Sequence, residues 1–179
     1  MLKVASMHRL VIGVGGFALL ALAPLPSLAA GDPPKPTDKC SQYDEGSAEW
    51  KRCKGKKFKD DEETYSVGYW MAKTGEYAEA LDVLRSARNQ ADPRVQTMIG
   101  FSLRKLGRVD EAMDYYLKVL AAYPDRTTTR QYLGEAFLQI GEPAKAKDQL
   151  AEIGKRCGTA CEDYQLLADE IAKFEKQAG

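Results

Sequence analysis

Three pairs of glycines, each pair seven residues apart with an alanine five residues further on, narrow most sharply what this 179-residue chain can fold into. The stretches are "GYWMAKTGEYAEA" from Gly68, "GFSLRKLGRVDEA" from Gly100 and "GEAFLQIGEPAKA" from Gly134, whose first residues lie 32 and 34 positions apart. A fixed period of that length is the mark of stacked structural repeats. Glycine inside a helix costs about 1 kcal/mol relative to alanine, so Gly68, Gly100 and Gly134 each imply a second helix passing close by. The small Ala80, Ala112 and Ala146 are expected opposite them. Gly75, Gly107 and Gly141 are then expected to end the first helices through left-handed caps, with Pro143 tolerated in the first turn of the helix after.

The apolar spacing predicts helices throughout. Leu133, Ala136, Phe137 and Ile140 fall at i, i+3, i+4 and i+7, as do Tyr77, Ala80, Leu81 and Leu84, and Ala146, Leu150 and Ile153 continue such a stripe. A single helical hairpin of this kind cannot hide its apolar side, so the units must stack.

These residues resemble the tetratricopeptide repeat family. The second unit carries Ile99, Gly100, Gly107, Ala112, Tyr116 and Pro124; the first has Gly68, Gly75, Tyr77, Ala80, Leu84 and Ala87, with Pro93 displaced by one place. The third keeps Leu133, Gly134, Gly141, Ala146 and Leu150 but has Pro143 where the family prefers an aromatic. The resemblance spans residues 61–155 and implies an all-α, right-handed α-solenoid of about three hairpins, about 61–93, 94–126 and 127–155. Residues 156–179 read as a capping helix. It opens on a capping box from Thr159 to Glu162, and Tyr164, Leu167, Ala168, Ile171 and Phe174 face the open end of the stack.

Ahead of the repeats, Lys3, His8 and Arg9 precede the apolar run "LVIGVGGFALLALA", and Ser27 and Ala29 are small residues suited to cleavage after Ala29 or Ala30. Residues 1–29 therefore read as a signal peptide, too short in its apolar part for a bilayer span of about 20 residues. The expected destination is the bacterial periplasm or beyond. Export would remove Lys3 and Arg9, leaving 24 basic against 26 acidic residues, a formal charge of −2 that gives no electrostatic case for nucleic acid. It would also remove His8, the only histidine in the chain, and with it any imidazole general base, Ser-His nucleophile or histidine-ligated haem or zinc. No cofactor or metal is expected.

Exported chains meet an oxidising compartment, and Cys40, Cys53, Cys157 and Cys161 form an even set. Three connectivities are open; the local one, Cys40 with Cys53 and Cys157 with Cys161, asks least of the fold. In "KRCGTACEDY" the second pair is expected to clamp the turn into the capping helix, worth about 1–2 kcal/mol for so short a loop. The alternatives are a redox-active pair, with Cys161 activated at a helix N-terminus, and zinc, whose usual spacings are not seen here. Residues 30–60 read as a Pro-rich linker, "GDPPKPTDK", followed by the Cys40–Cys53 loop.

Two surfaces could bind. Lys51, Arg52, Lys54, Lys56, Lys57 and Lys59 form a basic loop that reads first as a solvated segment and second as a dock for anionic lipid headgroups. The resemblance implies a concave groove lined by the first helix of each unit: Tyr65, Tyr69 and Lys73; Thr97, Phe101, Arg104 and Lys105; Gln131, Glu135 and Leu138. Aromatic rings beside positive charge suit a peptide segment or protein partner. Relatives that grip the carboxylate end of chaperone tails use lysine, asparagine and arginine at five groove positions, here Tyr65, Tyr69, Met98, Thr128 and Tyr132, so that specificity is not implied. The expectation is a non-enzymatic interaction scaffold of the cell envelope. A thiol-disulfide protein using Cys157 and Cys161 and a membrane-surface protein using the basic loop are the alternatives.

Overall fold

The computed structural model describes residues 58 and 60–178. They form seven helices in chain order: α1 Asp61–Thr74, α2 Tyr77–Arg85, α3 Pro93–Lys105, α4 Val109–Ala122, α5 Thr127–Gln139, α6 Pro143–Cys157 and α7 Glu162–Ala178. No strand occurs among the described residues, and no helix there is long and apolar enough to cross a membrane. Residues 1–29, read above as a signal peptide, the basic loop, Cys40 and Cys53 lie outside the described residues.

Side-chain caps start α1 and α3, and left-handed glycines follow the ends of α1, α3 and α5. Asp60 accepts a hydrogen bond from the Glu63 N–H (2.8 Å), and Asp92 does the same for Arg94 (2.8 Å), with Pro93 preset in the first turn. Asp61, Glu62 and Glu63 place negative charge at the positive end of α1. The Asp61 carboxylate also takes the backbone N–H groups of Arg88 and Asn89 (2.7 and 3.0 Å), which holds its pKa below the ordinary carboxylate range and ties the start of α1 to the α2–α3 turn. At the other ends Gly75, Gly107 and Gly141 have φ of 99°, 82° and 78°, the left-handed conformation that glycine adopts without penalty.

The helices form a solenoid of hairpins, α1–α2, α3–α4 and α5–α6, with first helices beside first helices and α7 packed on both α5 and α6. Along the interior run fully buried Leu84, Ile99, Leu103, Tyr116, Leu133, Ile153 and Leu167. Each large aliphatic side chain so removed from water contributes about 1.5–3 kcal/mol.

Three details differ from the sequence reading. Ala80, Ala112 and Ala146 are buried, yet the atoms crowding the helical glycines belong to other residues. A Cβ would come within 2.5 Å of Leu84 at Gly68, 2.6 Å of Tyr116 at Gly100 and 2.5 Å of Leu167 at Gly134. An alanine methyl is too short to fill the notch that a missing Cβ leaves; a long side chain reaching in from a neighbouring helix, α2 at Gly68, α4 at Gly100 and α7 at Gly134, fills it. Secondly, Ile140 is 43% exposed, because the helix ends at Gln139 and the chain turns away before the apolar stripe is completed. Thirdly, the first backbone bond of α7 runs from the Gln165 N–H to the Cys161 carbonyl, so Cys161 rather than Thr159 sits at the helix start. Thr159 lies in the turn that the Cys157–Cys161 bridge spans, with the two Cα atoms 5.9 Å apart.

Candidate functional site

Tyr65, Tyr69 and Lys73 recur one helical turn apart along α1, and the repeat carries those positions to Thr97, Phe101 and Lys105 on α3 and, for the first two, to Gln131 and Glu135 on α5. Residues four apart share a helix face. The adjacency of α1 to α3 and of α3 to α5 therefore lines up one surface across three units.

That surface is an aromatic and polar layer more than a row of free side chains. The Phe101 ring lies 4.8 Å from the Tyr132 ring and 6.2 Å from the Tyr77 ring, so one residue joins three hairpins. Tyr65 and Tyr69 are 6.0 Å apart, and the Arg94 guanidinium stacks over Tyr65 at 4.7 Å. Below the rings, the hydroxyls of Thr97 and Thr129 are 2.8 Å apart, fully buried between α3 and α5. Arg104 pairs with Glu135, and the Gln131 side-chain amide donates to the same carboxylate. Among the described residues Arg104 Nε, Gln131 Oε1, Tyr116 Oη and Arg126 Nε make no hydrogen bond.

Burial sorts the ten residues singled out in the sequence. Tyr65, Tyr69, Thr97, Phe101, Arg104, Gln131 and Leu138 are buried, Phe101 to 7% exposure and Arg104 to 5%; Glu135 is half-buried. Only Lys73 and Lys105 are exposed, and their ammonium groups lie 5.8 and 5.5 Å from the centres of the Tyr69 and Phe101 rings. Such cation–π placement leaves each charge facing solvent while its stem covers apolar surface. Arg104, Gln131 and Glu135 thus join the second unit to the third.

The phenols here are not poised for proton transfer. Burial pushes Tyr65 up to about 12, against the opposing pull of Arg94 and Arg126, and burial raises Tyr116 and Tyr132 as well. All three phenols remain neutral at physiological pH. No group of three or more acidic, cysteine or histidine side chains among the described residues is placed to hold a metal ion.

Sequence reading passed over Thr129, Arg94 and Arg126. Thr129 sits in "TTTR", where nothing separates the buried threonine from its neighbours except helical phase, and that phase is set only when α5 docks. Arg94 and Arg126 immediately follow the turns between units, and the charges of both oppose the burial-driven rise of the Tyr65 pKa, so residues at the starts of α3 and α5 act on one residue of the first unit.

No curated protein matches the chain. A family model described as the tetratricopeptide repeat matches residues 95–126, which cover nearly all of α3 and the whole of α4. With that match on the central hairpin and glycine-notched hairpins on either side, the chain carries a tetratricopeptide repeat within a stack of similar hairpins.

Proposed function

We propose that the protein is an exported, non-enzymatic scaffold of the bacterial cell envelope that engages a peptide segment or protein partner across the face formed by α1, α3 and α5. The observation that carries this reading is the alignment of exposed Lys73 and Lys105 beside the aromatic layer of Tyr69 and Phe101. Cations over aromatic faces favour acidic or aromatic side chains on the partner. The chain's near-equal acid and base content supplies no broad positive field, so contact with nucleic acid is not part of the proposal. Export rests on the N-terminal segment, with processing near Ala29 or Ala30.

The test is site-specific photocrosslinking in cells. A photoreactive residue at Lys73 or Lys105 should trap a distinct envelope protein, while the same residue at exposed Lys118 on α4 should not. Equal adducts from both faces would rule the groove out. A mature N-terminus at residue 30 or 31 in the periplasmic fraction would support export; an intact N-terminus in the cytoplasm would contradict it.

The thiol-disulfide alternative keeps one specific support. Cys161 stands at the start of α7, where the helix dipole would favour its thiolate once the bridge to Cys157 is reduced. A redox titration giving a potential far below about −300 mV would mark the bridge as purely structural.

A further inference from the structure

The capping helix lies along α5 much as α5 lies along α3. One repeat step carries Tyr132 to Leu166, Leu133 to Leu167 and Gln139 to Lys173. Contacts between α5 and α7 follow that register. The Thr128 hydroxyl donates to Asp163 (3.2 Å), as the Thr97 and Thr129 hydroxyls join the starts of α3 and α5 (2.8 Å). The Asp163 carboxylate also adds to the rise of the Tyr132 phenol, which burial causes first. Further along, the Lys173 ammonium is stabilised chiefly by its hydrogen bond to Glu170 and, across on α5, by Glu135.

Asp163, Leu166, Glu170 and Lys173 fall at i, i+3, i+7 and i+10, one side of α7. The opposite side is marked by Glu175, which pairs with Lys147 on α6 at 2.6 Å. Leu166 therefore stands where α7 continues the face of α1, α3 and α5, away from α6.

One repeat earlier this position is covered. Phe101 lies over Tyr132, with ring centres 4.8 Å apart. The equivalent of Phe101 on α5 is Glu135, whose carboxylate turns back to Arg104 and Gln131. Leu166 consequently stays 44% exposed. Charge along the face is graded as well. Lys73 and Lys105 are exposed at the α1–α3 end and make no ion pair among the described residues. Leu166 is flanked instead by Glu162 and Asp169, both exposed and likewise without an ion pair there.

We infer that α7 is a fourth helix of the partner-binding face, on which Leu166 receives a bulky apolar side chain of a peptide segment whose acidic end lies at Lys73 and Lys105. This placement rests on the scaffold reading above and gives the bound segment a direction. Charge complementarity sets acid against the two lysines and a basic residue, next to the apolar one, against Glu162 and Asp169. From α3 across α5 to α7 are two helix spacings of about 9 Å, and Lys105 is offset from Leu166 by about 10 Å along the helix axes. The two contacts are then roughly 20 Å apart, about six residues of extended chain.

The experiment places a photoreactive residue in cells at Leu166, at Lys105 or, as control, at Ala172, exposed on the far side of α7, and maps both ends of every adduct. Leu166 and Lys105 should join one segment of the same protein, about six residues apart, with acids at the Lys105 end and an apolar residue beside a base at the Leu166 end. Ala172 should give none. Leu166→Ala should lower the yield from Lys105 severalfold at an unchanged melting temperature, and Leu166→Met should restore it. A partner trapped from Lys105 but not from Leu166, or a yield that ignores Leu166→Ala, would overturn the inference and leave the scaffold reading standing. Adducts from Leu166 to a second copy or to this chain itself would also overturn it. No trapped protein from either position would remove both.

Discussion

The second unit closes its own notch, and the third does not. At Gly100 the crowding atoms are the ring of Tyr116, sixteen residues on in the same hairpin; at Gly134 they are the methyls of Leu167, on the helix after the hairpin. Leu150, which stands where Tyr116 stands one repeat earlier, is only partly buried. A solenoid needs its last apolar edge covered, and in this chain the cover reaches into the unit it protects. The capping helix is therefore core to the third hairpin, and the Cys157–Cys161 bridge fixes the turn through which it returns.

The strongest way to separate the units is to attack what joins them. Glu135→Leu strands the buried Arg104 guanidinium, and denaturant unfolding should show a loss of about 4 kcal/mol. Adding Arg104→Met should recover most of it; if the double variant is as unstable as the single, the pair does not couple the second unit to the third. Next comes the cap itself. Leu167→Ala should cost about 3 kcal/mol and Leu150→Ala clearly less, and equal losses would erase the distinction between a self-closed and a cap-closed unit.

The notches give a subtler contrast. Gly100→Ala drives a methyl against a rigid buried ring, with an overpacking cost of about 2 kcal/mol that outweighs the gain in helix propensity. Gly134→Ala meets leucine methyls that can rotate aside, so its melting temperature should fall less. Replacing both Cys157 and Cys161 by serine should remove about 1–2 kcal/mol, with faster amide exchange confined to α7 and the end of α6.

The smallest effect is electrostatic. Lys155 and Arg156 hold the Glu152 carboxylate down at about 2, from an ordinary 4.5. Its folded pKa is depressed, so the stabilisation is complete above pH 4.5 and is lost as the pH falls toward 2. Glu152→Gln should lower stability slightly at neutral pH, flatten the acid limb of the stability curve over that interval, and converge with the parent protein near pH 2.

Much of this was legible in the residues alone. The left-handed caps at Gly75, Gly107 and Gly141 followed from position, because a helix end is a local event that only glycine enters cheaply. Helix number and order followed from the period. The groove residues were placed on the right helices, since the repeat carries one position to the next, but their burial was not visible. Whether Phe101 faces solvent or the rings of Tyr77 and Tyr132 depends on residues more than twenty positions away on either side.

By itself the sequence determined that the chain is a stack of helical hairpins, because glycine placement and apolar spacing act through the backbone within one or two turns. Tertiary structure alone decided which side chain fills each notch, that Arg104, Gln131 and Glu135 serve as a joint between units, and that the third hairpin borrows Leu167 from its cap. Those outcomes depend on how far a side chain reaches across a helix crossing, a quantity that exists only once two helices have met.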